Sequence, residues 1–291
     1  MANWYTSREK FKIAANISGG QWNDTIERVI EASSRDVDRW TRRHFIPKTQ
    51  TRLYRYPQPR AGVAGVLWLD QDLLSVTTLQ TKAQNTTPST ISSSDYFLEP
   101  NNSEPDGNTR YNRIEMDLSS TAAFEAGDTP QRSISVAGSW GWGNVNQSAG
   151  AIDDSGGISS SDTALIVSNA SRIDVGDTLL IDSEQVFVSD RTFAARASIL
   201  LDEGSDLAGT NATVTVTIDS SHEIVAGEVI RIDSEQMYVV SVSTNDLTVI
   251  RAWDGSVLAS HSNNAAIHVN RTLTIERAVN GTTAASHSDE A

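Results

Sequence analysis

VGDTLLIDSEQVFV (175–188) and AGEVIRIDSEQMYV (226–239) are one pattern written twice, with IDSEQ identical in both copies. The match runs without a gap from Ala164–Arg191 over Thr215–Val242, at an offset of 51 residues. Apolar and polar residues alternate in ALIVS, TLLID and QVFVS, and again in TVTID, VIRID and QMYVVS. That period of two belongs to half-buried strands. Gly176 and Gly227 stand at matching turn positions before a strand. The DSE triplet falls where a tight hairpin turn belongs, because Asp and Ser bond their own backbone in turns. Each copy reads as strand, turn, strand.

A second repeat has a different offset. LTVIRAWDGSVLASHSNNA (247–265) matches LTIERAVNGTTAASHSDEA (273–291) 26 residues later, and WDGS and VNGT are hairpin-turn signals. The second copy of the module is thus complete within 213–269. The first has its opening strand and IDSEQ hairpin, but its LTIERAVNGT arrives only at 273–282, after the second module has ended. A strand without ladder partners leaves backbone groups unpaired, which folded chains avoid. The second module is therefore expected to be inserted into the first, with Thr192–Asn211 leading out and 270–291 returning. Leu273–Arg277 should then pair with strands of 164–190.

Asp182, Glu184, Asp233 and Glu235 offer two carboxylates per turn, whereas calcium takes roughly six to eight oxygens from a spaced loop. They are expected to serve the turn. His261 and His287 follow the two hairpin signals identically, but they belong to separate modules with no third ligand at metal spacing. Conformational or turn-capping roles are expected, with no metal and no cofactor.

Charge divides the chain. Residues 1–150 hold 16 Lys and Arg against 16 Asp and Glu; residues 151–291 hold 7 Arg, no Lys and 21 Asp and Glu, a net of −14. Six of the seven Trp lie in the first half. A uniformly acidic half argues against phosphate-backbone binding, which needs clustered Lys or Arg. There is no Cys, hence no disulfide framework or thiolate site. No apolar run approaches the ~20 residues that span a bilayer, and MANWYTSREKF lacks a signal-peptide apolar region. GxSxG, HExxH and phosphate-loop motifs are missing, so an enzyme is not expected.

In the first half, Ser7 can cap a lead helix running to about Asn16, with Phe11, Ala14 and Ala15 on one side. WNDTIERVIEASSRDVDRWTRRHF (22–45) then places Ile26, Val29, Ile30, Val37 and Trp40 on one helical stripe, with Trp40 in the core. Its polar face carries Glu27, Glu31, Arg35, Arg39, Arg42 and Arg43, rows of acid and base suited to a neighbouring subunit. Short strands follow in TRLYRY (51–56), VLWLDQDLLSVTTLQ (66–80, Trp68 inward), DYFLEP (95–100), RIEMDL (113–118) and SISVAGSWGWG (133–143). The loop at 55–65 is long, and 82–94 reads as a mobile connection.

Over about residues 6–145 this order resembles the head–tail connector (adaptor, or head-completion) proteins of tailed bacteriophages. The expected fold class is α+β. An N-terminal helical connector domain with a small β-sheet (1–145) leads through a linker (146–162) to all-β repeat modules, the first discontinuous (163–212 plus 270–291) and the second inserted (213–269). The resemblance implies a virion structural protein made in the host bacterial cytoplasm and placed at the head–tail junction. It implies a homo-oligomeric ring, twelve subunits by analogy, joining the portal protein to tail or nozzle proteins, with genomic DNA passing through unbound and no membrane. The loop at 55–65 would lie at the ring surface. The alternative is a carbohydrate-binding or adhesive β-repeat virion protein, suggested by Trp140 and Trp142.

Overall fold

Strands dominate the computed structural model, which describes residues 3–57, 65–102, 109–143, 147–210, 213–219 and 223–291, leaving aside the side chains of 194–198 and 213. Among the described residues the helices are α1 (Arg8–Ala14), α2 (Asn23–Thr41) and three short 3-10 turns. The expected α+β class with a helical connector domain is therefore corrected: the protein is predominantly β. The loop at 55–65 lies largely outside the described residues. Contacts group residues 1–35, 148–279 and 283–291 into one compact unit and 36–147 with 280–282 into another. The first 35 residues thus belong with the repeats, unlike a domain spanning 1–145.

The second of these units is a six-stranded antiparallel sheet. Its strands are β1 (Lys48–Tyr54), β2 (Val66–Thr81), β3 (Ser89–Ile91), β4 (Tyr96–Glu99), β5 (Tyr111–Met116) and β6 (Ile134–Trp140), in the order β1-β6-β2-β5-β4 with β3 on β2. Leu67, Leu73, Leu79, Ile114, Ile134, Val136 and Trp140 fill its core. The 82–94 connection is not featureless, since β3 pairs with Leu79–Thr81 and buries Ile91. Trp68 points out of the sheet instead of into it, with the Arg113 guanidinium 5.4 Å from its ring centre.

The repeats build one eight-stranded sheet from β7 (Ala164–Ile166), β8 (Thr178–Ile181), β9 (Glu184–Leu200), β10 (Thr213–Thr217), β11 (Val229–Ile232), β12 (Glu235–Ser243), β13 (Asp246–Ile250) and β14 (Ala266–Glu276). The second module is the run β10-β13-β12-β11. In the first module the same places are taken by β7, the end of β14, the start of β9, and β8. Leu273 pairs with both Leu165 and Arg191, and Thr274 with Ala164 and Asp190. Their counterparts agree residue for residue: Thr248 pairs with Thr215 and, across β12, with Ser241. Even the irregularity recurs, between Val188 and Asp190 opposite β14 and between Val239 and Ser241 opposite β13.

Two long strands join the modules. β9 runs out of the first and β14 runs back, and the early part of β14 covers β11 (Ile230 with Val269, Ile232 with Ile267). Each module has its own core, around Leu165, Val186, Val188, Leu273 and Ile275 in one and Ile230, Met237, Val249, Ile267 and Val269 in the other. Residues 151–158, read as linker, belong to the first module: Ile152 and Ile158 are buried and bridge Val167 and His287.

Helix α1 buries the side opposite to the one its apolar residues suggest. Phe11, Ala14 and Ala15 are exposed, while Ser7, Glu9 and Lys12 are buried. The reason is the surface it meets. Ser7 Oγ donates to Asp174 (2.8 Å), Glu9 accepts from the Val175 N–H (3.0 Å), and Lys12 pairs with Asp254. Charged groups inside a protein require such partners. Helix α1 thereby grips the Asp174–Asp177 loop of one module and the Trp253–Gly255 turn of the other.

Candidate functional site

Each IDSEQ hairpin closes with a two-residue turn. Ile181 pairs with Glu184 and Ile232 with Glu235, leaving Asp182–Ser183 and Asp233–Ser234 at the tips. Asp182 (φ 51°) and Asp233 (φ 52°) occupy the left-handed region that such hairpins demand, one that Asp tolerates better than most residues. Two residues on, a glutamate starts the returning strand with its side chain buried.

Both glutamates meet the same five donors. Glu235 accepts from Arg251 Nε (2.9 Å) and Nη2 (2.5 Å), the Ala252 and Ala259 N–H groups (3.0 Å each) and His261 Nε2 (2.9 Å). Glu184 accepts from Arg277 Nε (2.8 Å) and Nη2 (2.7 Å), the Ala278 (2.9 Å) and Ala285 (3.0 Å) N–H groups and His287 Nε2 (2.9 Å). The other imidazole nitrogen faces the turn aspartate, at 2.7 Å from Asp233 and 2.8 Å from Asp182. Burial alone would raise the Glu184 carboxyl, but the bonds from Arg277, Ala285, His287 and Ala278 hold it well below the usual range. Glu235 is lowered against its own burial by Arg251, His261, Ala259 and Ala252.

This arrangement holds each hairpin in place. A carboxylate offers about four lone-pair positions, and five donors leave none to take a substrate proton. Arg277 also donates to the Ser159 (2.6 Å) and Ala285 (2.6 Å) carbonyls, so one guanidinium ties strand end, hairpin and entering loop together. Among the described residues, no group of three or more His, Cys, Asp and Glu is placed to hold a metal ion. The arginines were visible in the 26-residue repeat and the glutamates in the 51-residue repeat. That the two repeats converge on one point became apparent only in three dimensions.

A polar cavity of about 250 Å³ lies beside α1, with Arg8, Glu9, Arg191, Asp254 and Asn270 in its wall. Its charges are largely matched by neighbours: Arg8 with Glu9 and Glu27, Arg191 with Asp174, and Asp254 with Lys12. It reads as a polar junction between α1 and the modules.

The six residues expected at a subunit interface have different neighbours within the chain. Glu27 accepts from Arg8 (2.9 Å), and Glu31 is half-buried. Arg35 donates to the Asn3 carbonyl and lies 5.8 Å from the Tyr5 ring centre. Arg39 is exposed and pairs with Asp36 (2.8 Å). Arg42 is exposed at the left-handed end of the helix, and Arg43 pairs with Asp72 (2.9 Å) while stacking 4.0 Å from the Trp142 ring centre. The apolar stripe is also narrower than expected. α2 buries Ile26, Ile30 and Ser34, whereas Val29 is exposed and Trp40, expected in the core, is 77% exposed. Val29 and Trp40 are eleven residues apart, about three helical turns, so they share one outward face. Comparison with protein-family models, curated proteins and solved structures finds no match to the chain.

Proposed function

We propose that this chain is a virion structural protein: a ring-forming adaptor that joins the portal to the tail and extends the DNA exit channel, its acidic β modules contacting tail or capsid proteins. The observation that carries the reading is the outward face of α2. A large exposed aromatic on a helix, here Trp40 flanked by Arg39 and Arg42 and sharing its face with the exposed Val29, has the composition of association surfaces. The order of elements over 6–145 supplies the kind of assembly. The repeats fit a docking role, because their conserved-in-both-copies charged groups are spent on holding their own hairpins. Sugar stacking by Trp140 and Trp142 is disfavoured: Trp140 is buried, and Trp142 lies between Arg43 and Arg110, 4.0 and 3.7 Å from its ring centre.

Mass photometry and negative-stain imaging of the chain mixed with its cognate portal test this reading. Rings seated on the portal are expected. Trp40→Ala should leave the melting curve within about 0.5 kcal/mol of the parent, as surface changes do, and abolish the rings. A chain that stays monomeric with portal, or rings that survive Trp40→Ala unchanged, would count against the reading or against this face respectively.

A further inference from the structure

The internal duplication shows what one strand edge is built to receive. In the second module, β11 is sandwiched between β12 on one side and the early part of β14 on the other, with Ile230, Arg231 and Ile232 opposite Val269, His268 and Ile267. In the first module β8 holds the same place, at an offset of 51: Leu179, Leu180 and Ile181 correspond to Ile230, Arg231 and Ile232. On its inner side β8 pairs with β9 as β11 pairs with β12. On its outer side, among the described residues, no strand pairs with it, and β8 ends the sheet.

Burial records the difference. Val229 and Ile230 are buried where Thr178 and Leu179 are half-buried, and Leu180 is 49% exposed where Arg231 is half-buried; Ile181 and Ile232, at the hairpin end, are both buried. The opposite end of the sheet is treated otherwise. There the Asp202 N–H donates to the Thr217 carbonyl (2.9 Å), Asp219 donates to Leu200 (3.0 Å), and the Glu203 carboxylate accepts from the Thr217 N–H (2.6 Å), so a loop caps the end of β10. Edges left open are usually guarded by shortness, Lys, Pro or a bulge, and at four residues β8 is short. Thr178–Ile181 contains no Lys, Pro or bulge.

We infer that the outer edge of β8 is a docking site for an extended strand of a partner protein, added antiparallel as the early part of β14 is added to β11. Main-chain bonds would supply affinity and alternate side chains the selectivity. The partner strand carries apolar residues at the places of Ile267 and Val269. Basic residues flank it, because Asp182 stands exposed at the end of β8 and residues 151–291 carry a net charge of −14. The inference does not depend on ring formation.

Hydrogen exchange on the full chain tests it in two steps. Without partner, the amides of Thr178–Ile181 that face away from β9 should exchange at least about tenfold faster than their counterparts in Val229–Ile232. Equal protection would mean the edge is already covered, and would overturn the inference. The probe is then a synthetic peptide, KKAAIHVNK, which presents the chain's own Ala265–Asn270 between lysines. It should protect 178–181 at saturation and leave 229–232 unchanged. The same peptide with Pro in place of His should do nothing, and Leu180→Lys, at an exposed position, should weaken binding by about tenfold or more. Protection elsewhere, or none, would overturn the inference.

Discussion

Glu235→Ala is expected to destabilise the second module by about 3–5 kcal/mol, the usual cost of removing one partner from a buried ion pair. Glu235 and Arg251 are both fully buried, and the variant would strip the guanidinium of its only carboxylate among the described residues. The Ala252 and Ala259 N–H groups and His261 Nε2 would lose their acceptor at the same time. Glu184→Ala should act in the same way on the first module through Arg277. Asp233→Asn, two residues away, keeps a residue suited to φ 52° and an acceptor for His261 while removing the charge of a side chain that is 65% exposed, and should cost no more than about 1 kcal/mol. Urea unfolding of the three variants reads the contrast. Equal, small losses would show that the cluster does not hold the hairpins.

Removing residues 272–291 should unfold the first module and spare the second. The cut takes away Leu273 and Ile275, each worth about 1.5–3 kcal/mol of burial, and strands Glu184 without Arg277 at roughly 3–5 kcal/mol. Together these approach the ~5–15 kcal/mol that stabilises a whole small domain. β7 and the 187–192 part of β9 would also lose their ladder partner. The second module keeps Ile267 and Val269, which lie upstream of the cut. Amide exchange should show protection lost over 164–191 and kept over 229–250. A dangling half-repeat would be removed with little effect on either segment.

The repeats were legible because strand periodicity and turn chemistry survive duplication. Alternation, Gly176 with Gly227, and the two Asp-Ser turns all have local causes. The orphaned LTIERAVNGT was legible for a different reason, since an unpaired strand is costly and its missing neighbours could be found by matching copies. What the sequence hid was the identity of partners. Lys12 and Glu9 look like the solvated side of α1 until Asp254 and Val175 are placed against them. An apolar stripe likewise says which residues could share a core, not which ones do. Trp40 and Val29 sit on α2 beside Ile26 and Ile30, yet the helix buries only the narrower strip. The same limit applied to Trp68, whose strand alternation was right in period and wrong in direction.

The insertion of one module into the other is the claim on which the rest of this account stands, and a crosslink tests it most directly. The chain has no Cys, so Ala164→Cys with Thr274→Cys introduces a single pair at directly opposed positions of β7 and β14. Opposed antiparallel positions lie about 4.5–5.5 Å apart, within the span of a disulfide. Mild oxidation should close the bridge intramolecularly in nearly every molecule, while Ala164→Cys with Thr248→Cys, the equivalent position of the other module, should stay reduced. A bridge that forms with Thr248→Cys and not with Thr274→Cys would contradict the insertion.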